Sequence, residues 1–192
     1  MFDAHLPRLV FHSRGNIELL SQNKLAVFAS RETPEELFEP ALAFFSELLQ
    51  LPISLAGGWQ SNLEKQLLTL FNTQATANLI QYFAREINHL KLESWQHALL
   101  NENKLLIISP ETSQQRPNQG LVSKRDNLIF SHCQKVLFFY IQPGGRLQAY
   151  FDQLLKSGSQ LFLFEHPTNE KQLSSDVVFL NTDNLEPLLI GR

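Results

Sequence analysis

Apolar positions along this chain come in short blocks. Seven of them read as strands: 24–30 (KLAVFAS), 53–57 (ISLAG), 78–84 (NLIQYFA), 104–109 (KLLIIS), 135–141 (KVLFFYI), 160–165 (QLFLFE) and 176–180 (DVVFL). Four of these runs are nearly continuous in apolar residues, the pattern of strands buried on both faces in a helix-flanked parallel sheet. Between the strands the period changes to that of helices. Thr33-Pro34-Glu35-Glu36 reads as a capping box with proline at the first helical position. Pro40 would clash inside that helix, so a short first turn is expected to re-start at Pro40 and run to Leu49. Ser61-Asn62-Leu63-Glu64 reads as a second capping box, opening 62–71 with Leu63, Leu67, Leu70 and Phe71 on one face. A third helix is expected over 94–102. A fourth is expected from Ser123-Lys124-Arg125-Asp126 to Cys133, and a fifth over 146–157, preceded by Gly144-Gly145 and closed by Gly158. Alternation at this spacing predicts an α/β fold, a Rossmann-like doubly wound and mostly parallel sheet. Such sheets place ligands beyond the carboxyl ends of their strands. Attention therefore falls on Ser30-Arg31, Gly57-Gly58-Trp59, the polar 109–125 loop with Arg116, and Pro143-Gly144-Gly145-Arg146.

Composition narrows the function classes. A length of 192 residues with 43% hydrophobic content suits one domain over 1–192, with 1–22 as a lead-in extension. A charged fraction of 18% excludes a disordered or coiled-coil chain, and a net charge of −3 excludes a uniformly basic nucleic-acid-coating surface. Any phosphate contact must come from a local basic cluster. Cys133 is the only cysteine, which excludes an intrachain disulfide framework and a multi-cysteine zinc site. No run approaches the roughly 20 apolar residues of a membrane span, and the N-terminal MFDAHLPRLVF has no signal-peptide pattern, so a cytoplasmic protein is expected. Dinucleotide, Walker-type and G-x-S-x-G motifs are absent, and the six histidines lack metal-ligand spacing. No cofactor, metal or catalytic residue is expected.

Three corners carry cations beside expected helix starts: Arg31, then Lys124 with Arg125, then Arg146. A cation there opposes the helix dipole, whereas an anion is favoured by the dipole and the outward N–H groups. Clustered cations at such corners make sense around a bound anion; scatter of 16 basic residues is the plainer alternative. Trp59 is a base-stacking candidate, or a cover for the sheet.

These corners resemble the DNA-processing protein A (DprA/Smf) family. The segment PRLVFHSRGNIELLSQNKLAVFASRETP (7–34) is similar to the family's lead-in: an apolar strand, an R/K-G-N turn, LL, and a strand ending in G-S-R. Gly15, Asn16, Leu19, Leu20, Ser30 and Arg31 fit that pattern, with Ala29 in the glycine position. In SKRDNLIFSHCQKVLFFYIQPGGRLQAYFDQLLKSGSQLFLF (123–164), Arg125 falls on the first arginine of an R-N-R-I-I motif and Leu128 and Ile129 on its isoleucines, while Gly145 falls on the S-G turn. Asp126 and Asn127 replace the motif's asparagine and second arginine, and Ala56-Gly57-Gly58-Trp59-Gln60 replaces G-x-A-x-G-I-D. The resemblance implies a non-enzymatic protein without the family's flanking domains, binding single-stranded DNA and acting with a RecA-type recombinase in recombination or DNA uptake as a homodimer. The phosphate-binding residues expected on this basis are Ser30, Arg31, Gly57, Gly58, Lys124, Arg125, Asn127, Gly144, Gly145 and Arg146. The alternative is a nucleotide or nucleotide-derivative binder of the related LOG-like group. Pro143-Gly144-Gly145 matches the start of that group's P-G-G-x-G-T-x-x-E, but Leu147, Gln148 and Phe151 stand where its glycine, threonine and catalytic glutamate would be.

Overall fold

The computed structural model describes residues 10–172 and 177–190. Its strands are β1 (Phe11–Gly15), β2 (Lys24–Ala29), β3 (Ser54–Gly57), β4 (Asn78–Tyr82), β5 (Leu105–Pro110), β6 (Lys135–Tyr140), β7 (Gln160–Phe164) and β8 (Val177–Leu180). They form one sheet in the order β1-β5-β4-β3-β2-β6-β7-β8, parallel except where β1 runs against β5. The α-helices are α1 (Phe38–Leu48), α2 (Asn62–Leu68), α3 (Ser94–Asn101), α4 (Gln119–His132), α5 (Arg146–Ser157) and α6 (Glu186–Leu189). The fold is thus α/β and Rossmann-like, as the alternation predicts.

Two apolar layers sandwich the sheet. Leu25, Val27 and Ala29 of β2 pack with α1, α2 and α3, whereas Ala26 and Phe28 pack with α4 and α5. Every residue from Leu25 to Ala29 is therefore buried, which is why the strand reads as a continuous apolar run. The chain lays β2 to β5 down in one direction, then returns to place β6 on the other side of β2. That reversal opens a crevice at the carboxyl ends of β2 and β6, the general location for ligands in such sheets.

Four local expectations are corrected. First, β1 is an added edge strand: its FHSRG sequence is mostly exposed, so no apolar pattern marks it, and only the resemblance placed a strand before the Gly15-Asn16 turn. The first nine residues of the lead-in, and position 176 of the last strand, lie outside the described residues. Second, Thr33 does not cap a helix. Its hydroxyl donates to the Ser30 carbonyl at 2.5 Å, Glu35–Leu37 form a 3-10 turn, and α1 begins at Phe38. Pro40 then lies in the first helical turn, where a missing N–H breaks no intrahelical bond. Third, α4 begins at Gln119, about one turn earlier than expected, because the Asn118 side chain accepts from Leu121 N at 2.9 Å. Lys124 and Arg125 are therefore one turn inside the helix. Fourth, the irregular 109–123 stretch shrinks accordingly, β5 ending at Pro110 and α4 beginning at Gln119. Helix α5 matches its expected bounds, and Gly158 closes it in the left-handed conformation at φ 77°.

At the C-terminal end of α4, His132 Nδ1 lies 2.8 Å from the Tyr82 hydroxyl. Burial raises the Tyr82 pKa, so its hydroxyl stays protonated and donates. Burial, with help from Lys24, pushes His132 below its ordinary value of 6.5, so the ring is the neutral acceptor. A depressed folded pKa contributes stability that is present above the unfolded value and lost as pH falls through the folded one. Urea unfolding should therefore show a midpoint that drops between pH 7 and pH 5 (about the imidazole range), with a smaller drop in His132→Phe. An unchanged pH dependence in that variant would exclude His132 as its source.

Candidate phosphate-binding cleft

The crevice is built from the ends of β2, β3, β4 and β6 outward. A bulge interrupts the β2–β6 ladder: Phe28 faces Phe138, but Ala29 faces Tyr140. Bulges re-aim side chains at the rims of sheets. Here the shift lets Ser30 N donate to the Tyr140 carbonyl at 3.0 Å, while the Ser30 hydroxyl accepts from Gln142 N at 2.9 Å. Ser30 is buried and staples the β2 and β6 corners together. Arg31 follows it and is exposed at the lip.

Glu64 anchors the corner from below. The Ser61 hydroxyl and the Glu64 carboxylate form the expected capping box at the start of α2. The carboxylate also does more than cap: Oε1 accepts from Ala29 N at 2.9 Å, and Oε2 accepts from Gln60 N at 2.6 Å and Ser61 N at 3.0 Å. Burial pushes the Glu64 pKa up, while these backbone donors and Arg125 pull it down.

A second buried carboxylate organises the other wall. Asp126 is fully buried in α4 and its Oδ1 accepts from Arg125 Nε at 2.9 Å and Nη2 at 2.6 Å. Its Oδ2 faces Arg146 Nη1 of α5 at 3.3 Å. Arg125 is itself only 4% exposed. Its guanidinium lies against Gly58, where a Cβ would stand 2.7 Å from Arg125 Cζ. Glycine leaves room for this approach, and a methyl group here would have to displace the guanidinium.

The result is a cavity of about 410 Å³ lined by four arginines, Arg31, Arg85, Arg125 and Arg146, opposite an apolar wall of Phe28, Phe83, Val122 and Leu147. An adjoining, more open cavity of about 840 Å³ is lined by Ser30, Arg31, Asn118, Gly144, Gly145 and Arg146. The two share Arg31, Pro117, Val122, Arg146 and Leu147, and so form one groove between the N-terminal ends of α4 and α5.

Of the expected site residues, Ser30, Arg31, Gly58, Arg125, Gly144, Gly145 and Arg146 come together here. Gly57, Lys124 and Asn127 line neither cavity: Gly57 is buried at the end of β3, while Lys124 and Asn127 point to solvent from α4. Arg116 is exposed and also lines neither. Trp59 fails as a stacking platform. It is 4% exposed, packs edge-on against Phe45 and Phe71, and its Nε1 donates to the Ile80 carbonyl at 3.4 Å. Arg85 is the residue that sequence reading missed. It follows β4 and rests over the Phe83 ring at 5.7 Å. Its signal was a cation just past the carboxyl end of a strand, passed over because no helix start follows it as at the other three corners. Among the described residues no cluster of histidine, cysteine, aspartate and glutamate could hold a metal, and no helix is long and apolar enough to cross a membrane.

No family model and no curated protein sequence matches the chain. Solved structures do. DNA processing protein A (DprA) from Streptococcus pneumoniae superposes with a TM-score of 0.69 at 13% identity, covering 92% of this chain and 65% of that one. This chain thus spans about two-thirds of that protein's length. DNA processing protein A from Helicobacter pylori, whose single-stranded DNA binding mode was the object of its structure, gives 0.63 at 16% identity, covering 83% of this chain and 74% of that one. The molybdenum cofactor carrier protein from Chlamydomonas reinhardtii gives 0.54 at 15% identity, covering 86% and 98%. At these identities the likeness is one of fold.

The contact between Gly58 and Arg125 is directly testable. Gly58→Ala should force the guanidinium off its seat and lower stability by about 1–3 kcal/mol, the usual cost of overpacking. Chemical denaturation measures it; an unchanged midpoint would show that the contact is slack.

Proposed function

We propose that this chain is a DprA-like protein that binds the phosphate backbone of single-stranded DNA in the arginine-lined groove, without catalysing a reaction. The observation that carries the reading is the convergence of Arg31, Arg85, Arg125 and Arg146 on one cleft in a chain whose net charge is −3. Guanidinium groups match phosphate geometry with two donors at once, and the N-terminal ends of α4 and α5 add partial positive charge. The fold shared with the Helicobacter pylori protein supports nucleic acid as the partner class. On the same reading Ser30 and Gly58 shape the site, Gly144 and Gly145 admit a close backbone approach, and Lys124 and Asn127 lie outside the groove. A RecA-type recombinase as protein partner, a homodimer, a cytoplasmic place and a single domain over 1–192 complete the proposal.

A second reading is a nucleotide or nucleotide-derivative binder. The smaller cavity favours it: about 410 Å³ lies within the range of small-ligand sites. The fold likeness to a cofactor carrier points the same way.

Titration of fluorescent oligo-dT across a salt series, with mononucleotide competitors, separates the two. Log affinity should fall with log salt at a slope of about −0.7 per phosphate contacted. Arg31→Ala and Arg85→Ala should each weaken binding and reduce that slope by about one contact. These two are better probes than Arg125, whose truncation strands the buried Asp126. Oligo-dT that fails to bind at low salt, alongside nucleotides that raise the melting temperature, would replace the first reading by the second.

A further inference from the structure

We propose that the smaller cavity is an end-recognition pocket that seats a terminal phosphomonoester of a single strand in preference to an internal phosphodiester. The inference rests on the phosphate-binding reading above and assigns the groove's two parts different tasks.

Charge balance is the first argument. Among the described residues four guanidinium groups line the smaller cavity, and two carboxylates, Glu64 in its wall and Asp126 behind Arg125, stand against them. With both acids ionised, about two positive charges are left over. An internal diester carries one negative charge, whereas a terminal monoester carries about 1.5 to 2 at neutral pH and offers three terminal oxygens. Protonation of Glu64, whose pKa burial raises, adds to the surplus.

Unspent donor capacity is the second. Arg125 is 4% exposed and lines the cavity, yet only its Nε and Nη2 are used, both by Asp126 Oδ1. Its Nη1 makes no hydrogen bond among the described residues. The buried side-chain atoms left without a hydrogen bond among the described residues are Asp126 Oδ2 and Asn169 Oδ1, so the Arg125 Nη1 edge opens onto the cavity and is available to an anion there.

Shape is the third. The arginine-lined cavity is the smaller and less open of the two and also has Gly58, Ser61 and Glu64 in its lining, and the larger cavity adjoins it across the shared Arg31 and Arg146. A strand lying in the more open part would bring its end to the less open one. The apolar wall of Phe28, Phe83, Val122 and Leu147 would meet the terminal nucleoside.

The test compares dT10 carrying a 5′-phosphate, a 3′-phosphate or hydroxyls at both ends, at constant salt and at pH 8 and pH 5. One phosphorylated form should bind about tenfold tighter than the hydroxyl form at pH 8, the effect of one added charge-assisted contact. Which form gains tells the two ends apart. The advantage should shrink at pH 5, because the second ionisation of the ligand lies near pH 6. Among the described residues no histidine lines either cavity; the acids that do are Glu64 and Glu32, with Asp126 behind Arg125, and loss of a negative charge among them would strengthen anion binding, not weaken it. A loss of advantage at low pH therefore has the sign of the ligand. Arg85→Gln should reduce the advantage while leaving the melting temperature near wild type, and Gly58→Ala should reduce it independently by moving Arg125. Equal, salt-sensitive binding by all three oligonucleotides would overturn the end-recognition inference and leave the single-strand reading standing. Failure of every oligonucleotide would sink the single-strand reading instead. Inorganic phosphate and dTMP would then decide the pocket itself: a melting-temperature rise lost in Arg85→Gln keeps it as a monoester site, and no rise overturns it.

Discussion

The cleft depends on one buried carboxylate. Asp126 holds Arg125 through two hydrogen bonds and reaches Arg146 on the neighbouring helix at 3.3 Å. Burying such a group is expensive, and ion pairs of this kind can often be exchanged for apolar residues without loss of stability. Stability alone is therefore a poor reason for an Arg-Asp pair inside α4. Its geometric effect is clearer: it fixes one guanidinium on the floor of the crevice and tethers a second, half-exposed one to the rim. The two lie on helices that flank the point where the sheet reverses its strand order. Asp126 stands where the R-N-R-I-I motif has an asparagine, and so adds a negative charge beside the cationic corner. In the structure its carboxylate is buried against Arg125 and Arg146, where it orders the two cations.

Glu64 plays the corresponding part beneath β2 and β3. A strand that ends at a bulge leaves backbone donors without ladder partners. Ala29, Gln60 and Ser61 each find one in this carboxylate. With Ser30 joining the β2 and β6 corners, the loops that bear Arg31 and Arg146 are held by hydrogen bonds to backbone rather than by packing alone. Ala29 in place of the motif's glycine is accommodated because its methyl group enters the core with Val27 and Leu25.

The sheet was legible in the sequence because strands buried on both faces leave no choice of residue type: β2, β5 and β6 are apolar nearly throughout. Strand β1 was hidden because an exposed edge strand needs backbone partners but no apolar alternation. The start of α4 was misplaced because Asn118 and Ser123 are both competent caps, and only the fold decides which has its N–H acceptor geometry. Trp59 illustrates the opposite failure. Beside a glycine pair at a strand end it has the address of a ligand contact, but its ring fills space between Phe45 and Phe71. Arg85 and Asp126 were harder to read: Arg85 precedes no helix start, and the burial of Asp126 between Arg125 and Arg146 depends on how α4 and α5 pack, which periodicity and spacing do not record.

An acidic chain with a basic cleft differs physically from a basic chain. Screening at physiological ionic strength limits exposed charges to a range of about 8 Å. The net charge of −3 therefore does not cancel the field inside a crevice where four arginines converge. It does discourage contact anywhere else on the surface. Such a distribution would confine any polyanion that binds to one groove, and its affinity would have to come from a few well-oriented guanidinium groups and not from a broad electrostatic face. Orientation then matters more than the number of cations, which is why the two carboxylates that position Arg125, Arg146 and the β2 corner are as much a part of the site as the arginines they hold.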